Sequence, residues 1–150
     1  MQGKNQPHNY TELCIATLKE KKFRITKTRK AAADAVAKVT PPFSVKDLHE
    51  YIESSSKIKM DFATVFRIVQ TFKDLGLIHP SSSPGNYLPC LHLACGDFVH
   101  VIHTCTSCAT VCESHLSDDL GAKLKEELLK NEFESNTATL QVTGSCQKCR

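Results

Sequence analysis

Residues 61–89, DFATVFRIVQTFKDLGLIHPSSSPGNYLP, contain a long amphipathic segment followed by a short hairpin-like segment. The apolar spacing predicts a helix from Asp61 to Leu75, which Gly76 ends. Two short strands, at 77–79 and 86–88, are predicted on either side of the Ser-Ser-Ser-Pro-Gly turn. The apolar side of the helix is predicted to consist of Phe62, Val65, Phe66, Val69 and Phe72. The opposite side carries short or hydrogen-bonding residues, namely Ala63, Thr64, Arg67, Gln70 and Thr71.

Three helices are predicted upstream of this segment. The first begins at Asn9, which has an acidic residue three positions later in the spacing of a capping box. The basic stretch 21–30 leads into a second helix, which continues through Val39 until a Pro-Pro pair ends it. Ser44 is expected to cap the third helix. Helices followed by a hairpin describe a winged helix-turn-helix, in which the last helix enters the major groove of DNA.

The side chains and the charge of this half suit a nucleic-acid partner. Thr64, Arg67 and Gln70 lie on the last helix, and arginine and glutamine can read base edges through paired hydrogen bonds. Residues 1–80 carry a charge balance of +6, whereas residues 81–150 carry −3. A basic half favours a polyanionic partner. On this pattern alone, an ordinary amphipathic surface helix stays open as the alternative.

The second half of the chain changes character. Alternating apolar residues predict strands at 98–103, 110–112 and 137–143, and Ser117 is expected to open a leucine-rich helix between the last two. The result is an α/β unit of about 60 residues, which is too small to be very stable without a metal or a partner. The predicted fold class is therefore α+β, with a winged helix-turn-helix domain followed by a small α/β domain.

Two Cys-x-x-Cys pairs belong to this second half. They are Cys105-Thr-Ser-Cys108 and Cys146-Gln-Lys-Cys149, and the second lies at the end of the chain. Four thiolates in two such pairs form a closed tetrahedral zinc site, which would attach the tail to the rest of the domain. Redox-active dithiols and coincidental cysteines are the alternatives, but no strand-CxxC-helix context indicates a thioredoxin-like motif. The spacing predicts a structural zinc ion.

The composition indicates a cytoplasmic protein that does not enter membranes. No apolar stretch reaches the roughly 20 residues that a membrane span requires. Residues 1–8 are polar and lack the apolar core of a signal peptide. Thiols stay reduced in the cytosol, so eight cysteines and seven histidines favour metal ligation over disulfides.

Over nearly its whole length, the sequence resembles the ferric uptake regulator family of bacterial metal-sensing repressors. The motifs that carry the resemblance are Arg24-Ile-Thr-Lys-Thr-Arg29, Ala63-Thr-Val-Phe-Arg67, Leu75-Gly-Leu-Ile-His79, the Cys105/Cys108 pair and Gly144-Ser-Cys-Gln-Lys-Cys149. Phe66 departs from the family's tyrosine, so a contact with a thymine methyl group could survive there but a hydroxyl contact could not. The resemblance implies a DNA-binding domain at 1–83, a hinge at 84–90 and a dimerisation and metal-binding domain at 91–150.

The resemblance is greatest to the branch of the family that regulates zinc uptake. That branch implies a second, regulatory zinc, with ligands here at His79, Cys90, His100 and Glu113, and therefore two zinc ions per chain. A thiolate at position 90 favours zinc over iron. His92 and His103 are possible substitutes for His100. Cys14 is expected in the core, whereas Cys95 and Cys112 have no assigned role.

The function implied is that of a homodimeric repressor rather than an enzyme. It would bind double-stranded operator DNA of metal-uptake genes when the regulatory zinc site is filled. Lys27, Arg29 and Lys46 would contact phosphates, which makes affinity depend on salt. The base-reading residues would be Thr64, Phe66, Arg67 and Gln70.

Three alternative functions follow from the same residues. The first is a repressor of this family that responds to iron or peroxide. The second is a zinc-dependent hydrolase, which requires an open coordination position and a general base; the sequence contains neither HExxH nor HxE…PCxxC. The third is a thiol redox protein that uses the Cys-x-x-Cys pairs.

Overall fold

The structure, a computed structural model, describes residues 7–90, 99–135 and 138–150. The chain forms two compact units, Met1–Ala94 and Cys95–Arg150. The predicted hinge at 84–90 lies inside the first unit, because Asn86–Pro89 forms a strand of that unit's sheet.

The first unit contains four helices and a three-stranded sheet within its described residues. In chain order these are α1 Pro7–Glu20, α2 Lys27–Val36, β1 Phe43–Ser44, α3 Val45–Ser55, α4 Phe62–Asp74, β2 Ile78–Pro80 and β3 Asn86–Pro89. The antiparallel sheet has the order β1-β3-β2, so that β2 and β3 form the predicted hairpin and β1 adds an edge strand. The winged helix-turn-helix that the sequence predicts is confirmed.

Side-chain caps explain where the helices of this unit begin. Ser44 and Asp47 form a reciprocal capping box at the start of α3. Asp61 accepts a hydrogen bond of 2.6 Å from the backbone N–H of Thr64, which caps α4. Gly76, which follows the C-cap residue Leu75 of α4, adopts a φ of +69°, where a side chain would be strained.

Two predicted helix bounds were wrong. α1 begins at Pro7 and not at Asn9, which fits the preference of proline for the first turn of a helix, where its missing N–H costs nothing. α2 ends at Val36 and not at Val39. The backbone N–H groups of both Lys38 and Val39 donate to the carbonyl of Ala35, so the last turn tightens and the helix stops there.

The buried face of α4 also differs from the prediction. Val65, Ile68, Val69 and Phe72 are buried, and their i, i+3, i+4, i+7 spacing gives one continuous stripe. They pack in one core with residues of the other helices and of the sheet, including Leu18, Ala32, Phe43, Leu48, Ile52 and Leu77. Phe62 and Phe66, predicted on the apolar side, lie one row away from this stripe and remain exposed.

The second unit is a three-stranded sheet with one helix. Its elements are β4 Val99–Cys105, β5 Val111–His115, α5 Asp118–Lys130 and β6 Ala138–Gly144. The order is β5-β4-β6, with β4 antiparallel to β5 and parallel to β6. A parallel pair requires a long crossover connection, and the chain between β5 and β6 contains α5. The predicted α/β unit is confirmed.

Candidate metal centres and DNA-reading face

The four cysteines of the Cys-x-x-Cys pairs meet at one end of the second unit's sheet. Cys105 is the last residue of β4 and pairs with Gly144, the last residue of the parallel β6. Because parallel strands end at the same edge, the turns that follow them are neighbours. The pairing therefore brings Cys146, two residues beyond β6, to Cys105, whose sulfur accepts a 3.4 Å hydrogen bond from the Cys146 N–H.

The sulfur positions fit zinc. The four Sγ atoms all lie within 4.8 Å of one another, and Cys108 Sγ stands 3.8 Å from Cys146 Sγ. Four sulfurs at about 2.3 Å from a tetrahedral zinc ion would stand about 3.8 Å apart. The predicted structural site is thus a four-cysteine cluster of the dimensions that zinc requires.

The pKa values of these thiols explain why the cluster needs a cation. Backbone N–H groups, led by that of Cys146, lower the pKa of Cys105 to about 6. Conversely, the neighbouring sulfurs of Cys146 and Cys108 raise the pKa of Cys149 to about 12. Four clustered sulfurs therefore do not all ionise by themselves, and a divalent cation supplies the charge that allows four thiolates.

A pair of ligating residues lies in the first unit, on its hairpin. His79 is in β2, and Cys90 directly follows β3. Both are buried, with 7% and 2% of their surface exposed, and their ligand atoms lie within 4.8 Å of each other. The N–H of Cys90 donates to the carbonyl of Leu77 at 2.9 Å, which extends the hairpin and fixes the position of Cys90. A histidine nitrogen and a thiolate this close can bind one soft metal ion.

A second pair lies in the second unit, on its sheet. His100 Nδ1 stands 2.7 Å from Glu113 Oε1, with only 11% and 4% of the side chains exposed. Glu113 is the register partner of Ile102, so it shares a face of the sheet with His100, two residues before Ile102.

His103 stands on the other face. Because side chains alternate along a strand, His103 points away from the face of His100 and Glu113. Its Nε2 hydrogen-bonds instead to Ser114 Oγ at 2.6 Å. His92, the other possible substitute, lies outside the described residues.

The predicted base-reading residues lie on the side of α4 away from the core. Phe66 and Arg67 are exposed, and Thr64 and Gln70 are half-buried. Arg67 Nε donates to the carbonyl of Ala63 at 3.3 Å, so the arginine runs back along the helix. Phe62, the first residue of α4, is exposed as well. Its spacing to Val65 and Val69 is that of an apolar-face residue, so no sequence signal marks it as a base-reading residue.

The predicted phosphate contacts come from the starts of α2 and α3. Lys27 is the exposed first residue of α2. Arg29 donates to the carbonyl of Arg24 at 2.6 Å and stacks over the ring of Phe23. Lys46, on α3, lies 3.8 Å from Glu50 and is exposed. A cleft between α2 and α4 is lined by hydroxyl and guanidinium groups, together with one apolar side chain: Thr26, Thr28, Arg29, Thr64, Arg67, Ile68 and Thr71.

The remaining cysteines differ from these ligands in their surroundings. Cys14 is fully buried in α1, as expected for a core residue, and burial raises the pKa of its thiol to about 12. Cys112 is exposed on β5. Cys95 lies outside the described residues.

A winged helix-turn-helix unit and a sheet unit with a four-cysteine centre in one chain define a metal-binding transcriptional regulator. The model of the Ferric uptake regulator family matches residues 20–143. The chain therefore belongs to the ferric uptake regulator family, whose members are DNA-binding regulators.

Known relatives and solved structures agree with this assignment. The Ferric uptake regulation protein of Staphylococcus epidermidis is 26% identical over 140 residues, which cover 93% of this chain and 96% of the relative. The crystal structure of holo XcZur has a TM-score of 0.76 at 19% identity, over 96% of this chain and 98% of that one. A zinc uptake regulator complexed with zinc and DNA gives 0.75 at 16% identity, over 96% and 95%. At these identities the likeness concerns the fold.

None of the helices in the part of the chain that the structure describes is long and apolar enough to cross a membrane.

Proposed function

We propose that this protein is a cytoplasmic, zinc-responsive repressor of metal-uptake genes, which binds operator DNA as a dimer when a regulatory zinc site is filled. The main observation behind this proposal is the position of Cys90. It is buried, close to His79 and held by a backbone hydrogen bond. A thiolate in this position favours zinc over metals that prefer oxygen and nitrogen ligands.

The proposed regulatory ligands come from both units. His79 and Cys90 of the first unit would bind the ion together with His100 and Glu113 of the second. Three of these four residues are the thiolate or imidazole ligands that suit zinc, and the carboxylate completes the usual mixture. Because the two pairs belong to different units, shared ligation would favour one arrangement of the units over others. Only such a difference in affinity can shift the population towards a DNA-binding state.

The proposed DNA contacts divide between phosphates and bases. Lys27, Arg29 and Lys46 would bind the backbone, which supplies affinity without sequence preference. The reading helix α4 would lie in the major groove, where Thr64, Phe66, Arg67 and Gln70 contact base edges. The hydroxyl-lined and guanidinium-lined cleft between α2 and α4 supports this division.

Exposed apolar residues of the second unit support a homodimer. α5 buries none of its residues within the chain. Large apolar side chains are exposed on and around it, and on β6: Leu120, Leu129, Phe133, Leu140 and Val142. Such a concentration marks an interface, and a second copy would cover it with the same residues. Two-fold symmetry would also match two half-sites on DNA.

Zinc stoichiometry combined with a metal-titrated gel shift tests the function. We expect two zinc ions per chain in the DNA-binding form and one in a form that binds operator DNA weakly. The operator can be selected from a randomised duplex library by the zinc-loaded protein. Equal DNA affinity with one and with two zinc ions contradicts the proposal. DNA binding that depends on iron, with no second zinc ion, instead supports the iron-responsive alternative.

Substituting each of two histidines on β4 in turn should show which of them binds the regulatory zinc. We expect His100→Ala to lose zinc-dependent DNA binding, because His100 stands 2.7 Å from Glu113 on one face of the sheet. His103→Ala should keep it, because His103 points to the other face and binds Ser114. Zinc titration followed by gel shift measures both. The opposite order of effects would make His103 the ligand.

A further inference from the structure

Two phenylalanines stand on the exposed side of the reading helix α4. Phe62 is 50% exposed and Phe66 is 46% exposed. Residues four positions apart are neighbours on a helix, so Phe62, Phe66 and Gln70 form one row along α4. Ala63 and Arg67 form the adjacent row. The face that carries the polar reading residues therefore also presents two neighbouring phenylalanines, which favours a partner with an apolar group at that position.

The ring of Phe62 is supported from behind by α3. His49 Nε2 donates to the carbonyl of Met60 at 2.9 Å. The His49 ring meets the Phe62 ring edge-on, with centroids 5.9 Å apart and planes at 68°. The Asp61 cap fixes the backbone at the same point. Phe62 is thus held before any partner binds, which reduces the ordering cost of a contact.

The major groove offers one apolar group that sequence recognition can use, the 5-methyl group of thymine. The first turn of a reading helix is the part that reaches base edges most closely, and Phe62 is the first residue of α4. We propose that Phe62 contacts a thymine methyl group and is a further specificity-determining residue, beside the Phe66 contact that the proposed function already includes. This inference rests on the proposed placement of α4 in the major groove.

The test is a cycle that combines a protein variant with a change of one DNA methyl group. The probe is the duplex selected by the zinc-loaded protein, with each thymine of a half-site replaced in turn by deoxyuridine. This change removes the methyl group and keeps the hydrogen-bonding pattern. We expect at least one replacement to weaken binding of the unaltered protein about fourfold, the value of one buried methyl-sized group. The Phe62→Ala variant should bind the duplexes with and without that methyl group equally well.

Two control variants make the cycle specific. Phe62→Leu keeps an apolar side chain, so the replacement of the Phe62-dependent thymine by deoxyuridine should still weaken its binding by most of the original factor. Arg67→Ala should weaken binding to every duplex and leave the thymine-to-uracil ratio unchanged, because it removes a different contact. The proposal is overturned if Phe62→Ala keeps the full penalty at every thymine, or if no thymine gives a penalty with the unaltered protein.

The same titrations separate this inference from the zinc response. Binding of the unaltered protein to the thymine duplex, with and without the second zinc ion, tests the response alone. A duplex bound equally in both states contradicts the zinc response, and the thymine-to-uracil ratio can still be measured on it.

Discussion

Replacing Cys105 with serine is expected to unfold the second unit, Cys95–Arg150. A serine hydroxyl does not ionise as a thiolate does, so the site would lose one ligand and the N–H of Cys146 would lose its sulfur acceptor. Structural zinc contributes about 10 kcal/mol or more to the folding of small domains. That exceeds the stability that a unit of this size has from its own core. The loss of the zinc ion should therefore release β6 and the tail.

Hydrogen exchange of the β6 amides, together with metal analysis, measures this effect. The expected result is rapid exchange throughout β6 and the loss of one zinc ion per chain. Cys112→Ser is the matched control, because Cys112 is exposed on β5 of the same unit and lies outside the four-cysteine cluster. A Cys105→Ser protein that keeps slow exchange in β6 without zinc would show that the metal is not structural.

The second large effect is expected at Cys90. Cys90→Ser replaces the thiolate of the proposed regulatory site with a hydroxyl, which is a poor ligand for zinc. Loss of an outer partner of a metal ligand already costs about 10- to 100-fold in affinity, and loss of the ligand itself should cost more. We expect the variant to bind one zinc ion, to keep the fold of both units and to lose zinc-dependent DNA binding.

Cys14→Ser provides the control for this experiment. It exchanges the same atoms at another buried cysteine of the first unit, so it reproduces the cost of a buried hydroxyl without removing a proposed ligand. Zinc-titrated gel shifts should show a response in Cys14→Ser and none in Cys90→Ser. If both variants lose the response alike, general destabilisation explains the loss and Cys90 has no special role.

Much of the fold could be predicted from local sequence signals, because those signals act over a few residues. Ser44 and Gly76 mark helix ends through a cap and a left-handed turn, and the structure bears out both. Asp61, predicted as the first residue of its helix, is the N-cap of α4. The predictions of the end of α2 and of the buried face of α4 were wrong, because the local sequence signal is weak at both places. α2 ends early because the backbone tightens into a turn at Ala35. The side on which Phe62 and Phe66 lie depended on which stripe of α4 fits the core.

For the candidate metal sites, the sequence shows which ligand residues are present, whereas only the fold shows which of them lie close together. Cys-x-x-Cys spacing predicts a zinc site wherever the chain brings the two pairs together, and the sequence contains both pairs in full. What brings them together is the parallel pairing of β4 with β6, a contact between residues about 40 positions apart that no local pattern encodes. The nearness of Cys90 to His79 likewise follows from the hairpin register.

By itself, the sequence determined the helices, the hairpin, the two Cys-x-x-Cys pairs and the ligand types available to a metal. The tertiary structure alone decided which of those residues stand together. It separated His100 from His103, because alternation along β4 gives two faces and only the pairing with β5 shows which one carries Glu113. It also left Phe62 exposed, because the core accepts one stripe of α4 and the row beside that stripe has no room within it.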